Sequence, residues 1–312
     1  MRKYINERRW RKIQSFLPKQ NRITKANAPA EESLRLGTTL LHIDHYIPSS
    51  PKGTVVIFHG VGGNGRMLEF IAVPLWRAGY EVVCPDLPLY GLTEYKGKVT
   101  YSDWIDCGTK VCRYYGKQGL PLFVFGLSAG GMLAYQLACR LEKVDGLMAT
   151  CLLDQRDPAV TINTASNRLT AAVGKPFLRI THGLLGSVKI PMKAVCNMQA
   201  IVNDERVARL LMSDPLSSGA KVTLEFIHGM LNPDISPEAK DFRKCPALLA
   251  HPEKDNWTDV SLSRLFFDDL PVRKELVMLP GAGHFPIEPQ GLSVLENECL
   301  RFMDEIVRNG GM

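Results

Sequence analysis

The segment Phe123-Val-Phe-Gly-Leu-Ser-Ala-Gly-Gly131 constrains the fold more than any other part of the chain. A short apolar run leads straight into G-L-S-A-G, and a helix-forming run, Met132 to Leu141, follows without a linker. A strand, a tight turn and a helix are implied. A serine at the tip of such a turn needs small neighbours two residues away on either side, because a Cβ at 126 or 130 would crowd the bent backbone. Gly126 and Gly130 meet that need. The turn would lift the Ser128 hydroxyl off the sheet and aim the first helical N–H groups at an oxygen held beside it, which favours developing negative charge. The pentapeptide alone is weak evidence, since a glycine-rich turn can carry an ordinary serine, so the flanking sequence has to decide.

On both sides of this turn, apolar runs alternate with helical patterns. Leu34 to Ile47 alternates apolar and polar residues, which suits one or two antiparallel strands at a sheet edge with His42 and His45 on the exposed face. Thr54-Val-Val-Ile-Phe-His59 and Glu81-Val-Val-Cys-Pro-Asp86 are continuous apolar runs of the kind buried on both faces. Helices are expected at 67–78 and 102–116, and a further strand at 144–151. This rhythm predicts the α/β class: a mostly parallel, doubly wound sheet with helices on both faces.

After Asp154 the rhythm breaks. Residues 155–240 show helical stretches at 198–211 and 222–230, several prolines and no buried strand. The sheet pattern returns at Pro246-Ala-Leu-Leu-Ala250 and Glu275-Leu-Val-Met-Leu279, with helices at 260–269 and 292–308. The expected organisation is therefore a basic N-terminal extension (1–33), a core in two parts (34–154 and 241–312) and a helical cap inserted between them (155–240). The insertion is too long for a plain loop and too apolar to be left in water, which favours a lid.

Charge and cysteine usage narrow the function classes. Nine Lys/Arg against a single acid, Glu7, put residues 1–25 at +8, so the rest of the chain carries −2 of the net +6. A nearly neutral body argues against a nucleic-acid-binding protein, whose basic footprint should cover the folded domain. Trp10, Ile13 and Leu17 share one helical face and Pro18 ends the run. This segment is expected to dock on the main domain through Trp10 and Phe16; the alternative is peripheral contact with an anionic membrane surface. No run of about 18 apolar residues and no secretory leader pattern occurs, so a cytoplasmic location is expected. The eight cysteines show no zinc-site spacing and read as buried thiols, so no metal is expected.

A serine hydroxyl is a poor nucleophile near neutral pH, so it needs a base within hydrogen-bonding reach and a third group to orient that base. In an open parallel sheet such groups gather on loops at the carboxyl ends of strands. Asp255, just past the Ala247 strand, and His284, just past the Glu275 strand, qualify by position. Asp154 also follows a strand and competes for the acid's place. His251 precedes the acid and is expected to pack at a strand end, Glu253 and Asp259 to be solvated, and His182 and His228 to have packing or surface roles in the insertion. His59-Gly-Val-Gly-Gly63 is a glycine-rich loop after a strand, but it lacks the G-K-[ST] of a phosphate loop and the G-x-G-x-x-G spacing of a dinucleotide site.

From about residue 50 onward the chain resembles the α/β-hydrolase family, in the branch similar to monoacylglycerol lipases and lysophospholipases. The resemblance is carried by the strand ending in His59-Gly60, Pro85-Asp86-Leu87-Pro88 before a Gly91 turn, G-L-S-A-G-G, the inserted cap, the Asp255 loop and G-A-G-H-F around His284. It departs at Leu127 and Tyr90, where many relatives carry histidine. The resemblance implies a cofactor-free serine hydrolase in which Ser128 attacks an acyl carbon, His284 moves the proton and Asp255 holds the imidazole. It also implies an oxyanion hole of the Val61 and Ala129 backbone N–H groups, and a structural role for His59. The expected substrate is a small carboxylic ester with a lipid-like or medium acyl group. Because one fold hosts many chemistries, acyl transfer, lactone or C–C hydrolysis, and ligand binding without turnover remain alternatives.

Overall fold

A computed structural model describes residues 2–310, with 168–173, 182, 183 and 310 described by their backbone alone. The elements in chain order are α1 (Arg8–Gln14), β1 (Ala30–Leu36), β2 (Thr39–Tyr46), β3 (Thr54–Phe58), α2 (Glu69–Arg77), β4 (Glu81–Pro85), α3 (Tyr101–Tyr115), β5 (Leu122–Gly126), α4 (Ala129–Arg140) and β6 (Gly146–Ala149). Then follow α5 (Pro158–Thr164), α6 (Arg168–Leu185), β7 (Lys189–Pro191), α7 (Glu205–Ser213), β8 (Lys221–Thr223) and α8 (Leu224–Leu231). The chain closes with β9 (Ala247–Pro252), α9 (Val260–Phe267), β10 (Lys274–Leu279) and α10 (Pro289–Gly310).

Eight strands form one sheet in the order β1-β2-β4-β3-β5-β6-β9-β10. The β1·β2 and β2·β4 pairs are antiparallel and the remainder parallel. From β3 the chain steps outward to β4 and then returns past β3 to β5. Right-handed crossovers in opposite directions place α2 and α3 on opposite faces of the sheet. Accordingly α2 packs with α10 on one face and α3 with α4 on the other. Strands covered on both sides have no polar face to show, which explains why β3, β4 and β5 are buried throughout. The reversal also opens a crevice at the carboxyl ends of β3 and β5, where ligands bind in sheets of this kind.

The N-terminal extension packs on the β2 side of the sheet. Trp10, Ile13 and Leu17 are buried, and the Trp10 indole N–H donates to Glu69 Oε1 at 3.0 Å. Arg66 lies between the Tyr4 and Trp10 rings, 4.8 and 4.7 Å from their centres, and pairs with Asp44 at 2.7 Å. The apolar face of α1 is therefore used inside the protein, while Arg8, Arg9, Arg11 and Lys12 stay exposed. Among the described residues no helix is long and apolar enough to cross a membrane.

Three expectations need correction. His42 and His45 are buried, not exposed: β1 and the N-terminal extension cover β2, and each imidazole sits between two carboxylates. His42 faces Glu31 at 3.0 Å and Asp86 at 3.3 Å; His45 faces Glu32 at 2.9 Å and Glu81 at 2.8 Å. Residues 155–240 do contain strands, the three-residue antiparallel pair β7·β8, too short to register as apolar runs. The helices read at 198–211 and 222–230 are in fact a 3-10 turn at Met198–Ile201 followed by α7, and β8 followed by α8; α5 and α6 are further helices of this largely helical segment.

Candidate active site

Ser128 stands between β5 and α4 with φ 57° and ψ −127°, a conformation costly for a residue with a Cβ. The strain is held by packing. A Cβ on Gly126 would stand 1.9 Å from the Gly130 carbonyl oxygen, so only glycine lets the strand and helix meet there. The Leu127 N–H donates to the Phe58 carbonyl at 3.0 Å, and the Ser128 N–H to Thr150 Oγ1 at 3.1 Å. The turn is thereby tied to the ends of β3 and β6.

Two loops bring the other groups to this serine. His284 Nε2 lies 2.7 Å from Ser128 Oγ, and His284 Nδ1 lies 2.8 Å from Asp255 Oδ2. Asp255 Oδ1 accepts the Trp257 and Thr258 N–H groups, each at 2.8 Å, and Oδ2 accepts the Thr258 hydroxyl at 2.8 Å. Burial pushes the Asp255 carboxyl up, but the His284 charge and these hydrogen bonds outweigh it and hold the group ionised, below the usual carboxylate range. At His284 burial opposes the imidazolium, whereas Asp255 and then the Cys151 sulfur favour it, and the balance lies above the ordinary histidine value. The Trp257 ring covers His284 at 4.7 Å, and the imidazole is almost wholly buried.

The loop after β3 faces the same serine. A Cβ on Gly60 would stand 2.9 Å from Ser128 Cβ and 3.0 Å from the Ala129 nitrogen, so the two backbones nearly touch. As the first residue of α4, Ala129 has an N–H without an intrahelical acceptor. Val61, Ser128, Ala129 and His284 line one cavity of about 40 Å³. His59 braces this loop: Nδ1 faces the Gly60 carbonyl at 2.8 Å and Nε2 accepts the Leu87 N–H at 3.0 Å, the bonding of a neutral ring. Burial lowers its pKa to about 4, in keeping with that state. Tyr90 packs edge-on against His59 at 5.6 Å, filling with an aromatic ring the space where the resemblance expects histidine.

The insertion roofs the cavity with Thr164, Cys196, Met230 and Pro233. Thr164 and Cys196 also line a second, apolar cavity of about 160 Å³ between α6 and α8, walled by Phe177, Leu178, Ile190, Leu224, Ile227 and Leu231. Beside it α6 exposes Phe177, Ile180 and Leu184, the last two at 80% and 93%.

The competing residues lie elsewhere. Asp154 is taken up by Arg156 at 2.7 Å, and Arg156 also reaches Glu238. Glu253 and Asp259 are exposed, the latter capping α9. The His182 side chain lies outside the described residues. From sequence, Thr258 and Trp257 carry no assigned role and Cys151 reads only as a buried thiol, which it is. A signal existed for the first two, since Asp255 accepts the N–H groups two and three residues on, a local motif that favours aspartate. Nothing local marks Cys151, whose sulfur comes within 4.8 Å of the ligating atoms of Asp255 and His284 only through the fold.

The family described as "Serine aminopeptidase, S33" matches residues 49–288. The monoglyceride lipase of Saccharomyces cerevisiae is 24% identical over 281 residues, covering 81% of this chain and 85% of that protein. A thermostable monoacylglycerol lipase of Bacillus sp. is 30% identical over 105 residues, 33% of this chain and 41% of that one. Among solved structures, a soluble variant of the yeast lipase with a substrate analogue superposes with a TM-score of 0.74 at 20% identity, over 93% of this chain and 98% of that one. The monoacylglycerol lipase of Paleococcus ferrophilus gives 0.63 at 18% identity, over 86% and 98%. With 49–288 of its 312 residues matched and the sheet order of that fold, the chain belongs to the S33 family of α/β-hydrolases and is a serine hydrolase.

Proposed function

We propose that the protein hydrolyses a carboxylic ester with a lipid-like or medium-length acyl group, such as a monoacylglycerol or lysophospholipid, through an acyl-enzyme on Ser128. The observation that carries this reading is the hydrogen-bonded chain Ser128–His284–Asp255, at 2.7 and 2.8 Å, at the wall of a cavity adjoining an apolar one. His284 Nε2 would take the Ser128 proton as Oγ attacks the acyl carbon, then return it to the departing alcohol. In the second half the same nitrogen would take a proton from the water that attacks the acyl-enzyme and give it to Ser128 Oγ as the acid leaves. Asp255 would fix the tautomer and stabilise the transient imidazolium. The N–H groups of Val61 and Ala129 would hold the oxyanion, each such donor contributing about 3 kcal/mol in the transition state.

We read residues 155–240 as the lid that selects the acyl group, set on a core of 34–154 and 241–312, with 1–33 as an extension. The family description names a peptidase, whereas the relatives are named as lipases. An apolar cavity next to the serine favours an ester with a flexible chain over a peptide, whose backbone would leave polar groups unpaired there. Fluorophosphonate labelling with peptide mapping, alongside a p-nitrophenyl ester series, tests the reading. Ser128→Ala should abolish labelling and lower esterase turnover by about a thousandfold or more with the fold intact. Labelling that persists on another residue would remove Ser128 from its role.

A further inference from the structure

His251, which precedes Asp255 in the chain, occupies a position that its chemistry explains. It is buried near the end of β9, with Nδ1 3.1 Å from the Thr150 carbonyl oxygen and Nε2 3.1 Å from the Thr258 carbonyl oxygen. A carbonyl oxygen can only accept. A neutral imidazole has one N–H, so it would satisfy one carbonyl and aim a lone pair at the other, a buried mismatch that two N–H groups remove. Both carbonyls belong to residues that touch the reacting groups. Thr150 Oγ1 accepts the Ser128 N–H at 3.1 Å; Thr258 donates its N–H and its hydroxyl to Asp255, each at 2.8 Å, and its oxygen lies 3.3 Å from His284 Nδ1.

We propose that His251 is a doubly protonated clamp: a positioning residue that, through the Thr150 and Thr258 carbonyls, holds the Ser128 turn in register with the Asp255–His284 pair. The role rests on reading Ser128, His284 and Asp255 as the triad. The two threonines lie 108 residues apart in sequence, and β6 and β9 are hydrogen-bonded only along Leu147–Ala149, short of the loops that carry the site. His251 ties those two loops together beyond the sheet. Burial disfavours its cation, while the Cys151 sulfur and the Asp255 carboxylate favour it and His284 opposes it, leaving its pKa above the ordinary histidine value. Asp259, at the start of α9, is held low first by its hydrogen bonds to Ser261 and then by the His251 charge, so it adds a further negative charge in that neighbourhood.

Two measurements test the clamp. In the full-length protein labelled with ¹⁵N-histidine, the His251 ring, assigned through its own backbone, should carry a proton on both nitrogens near neutral pH. The Ser128→Ala protein should give the same spectrum, so this readout does not depend on the triad reading. One bare nitrogen overturns the clamp. His251→Gln and His251→Phe should lower kcat on a p-nitrophenyl ester by about 10- to 100-fold with KM nearly unchanged, as expected when aligned groups are displaced. Removing a positive charge near His284 raises the pKa of that base, so the acid limb of kcat/KM should move to higher pH. A folded His251→Phe enzyme with wild-type kcat and an unmoved limb also overturns the proposal. Full activity in Ser128→Ala would instead unseat the triad while leaving the spectrum to decide the charge state.

Discussion

The backbone at Ser128 stores strain that an ordinary surface turn would not retain, and what surrounds it gives that strain a use: the hydroxyl is held 2.7 Å from a buried imidazole. On the proposed reading Asp255 would act on this pair in two ways, and one substitution tests both. Asp255→Asn should lower kcat by about four decades, because the amide stabilises the wrong His284 tautomer. It also removes the charge that favours the imidazolium, so the His284 pKa falls and the acid limb of whatever activity remains should move to lower pH, opposite to the shift expected for His251→Phe. Asp154→Asn, whose carboxylate pairs with Arg156 on the surface, should leave kcat/KM within about twofold. pH profiles of the purified variants check both, and the reverse ranking would make Asp154 the acid.

At the scale of elements, α6 and α8 enclose the apolar space that adjoins the cavity at Ser128. Their cavity of about 160 Å³ is walled by aliphatic and aromatic side chains, and it meets the smaller cavity at Thr164 and Cys196. If an acyl chain lies across that junction, kcat/KM should rise by up to about tenfold for each one or two added methylenes until the space is filled. Ile227→Trp, on the cavity wall, should move the optimum to shorter chains without altering turnover of acetate; a profile flat from acetate to decanoate refutes the acyl-site reading. Exposed Ile180 and Leu184 lie on the same helix, in a stretch without an acidic residue from 158 to 203. Leu184→Glu should therefore reduce hydrolysis of a micellar long-chain ester several-fold and leave a soluble short-chain ester unaffected, because only the former presents an apolar surface to the helix.

Across the whole molecule the N-terminal extension acts as a clasp between the chain start and the loops that follow β3 and β4. Tyr4 Oη donates to Asp86 Oδ2 at 2.8 Å, and the same carboxylate accepts the Gly65 and Leu92 N–H groups, each at 2.7 Å. Those donors belong to the segments following β3 and β4, so a loose chain end would leave a buried carboxylate short of a partner. Tyr4→Phe should cost about 1 to 3 kcal/mol, and Trp10→Ala about 3 to 5 kcal/mol, since the latter loses both packing and the bond to Glu69. Urea unfolding followed by circular dichroism measures both. Losses below a few tenths of a kcal/mol would show the clasp to be ornamental to stability.

Much of this architecture is written locally. Uninterrupted apolar runs such as Thr54–Phe58 suit strands covered on both faces, and the glycines flanking Ser128 suit a sharp strand-to-helix turn, so the class of fold, the turn at Ser128 and the loops carrying Asp255 and His284 were legible from sequence. The helical pattern of Trp10, Ile13 and Leu17 likewise foretold a docked segment. Other features have no local signature. The period-two pattern at His42 and His45 marks an edge strand equally well whether water or another part of the chain covers it, and only folding put β1 and the extension there. The strands of the insertion are three residues each, too short for any periodicity to reveal. The closeness of Asp255, and not Asp154, to His284, the approach of Cys151 to the same ring and the paired carbonyls at His251 depend on distances between segments far apart in the chain. Such distances follow from the packing of helices on the sheet, which brings the carboxyl ends of β5, β6, β9 and β10 to one place, and no single stretch of sequence contains them.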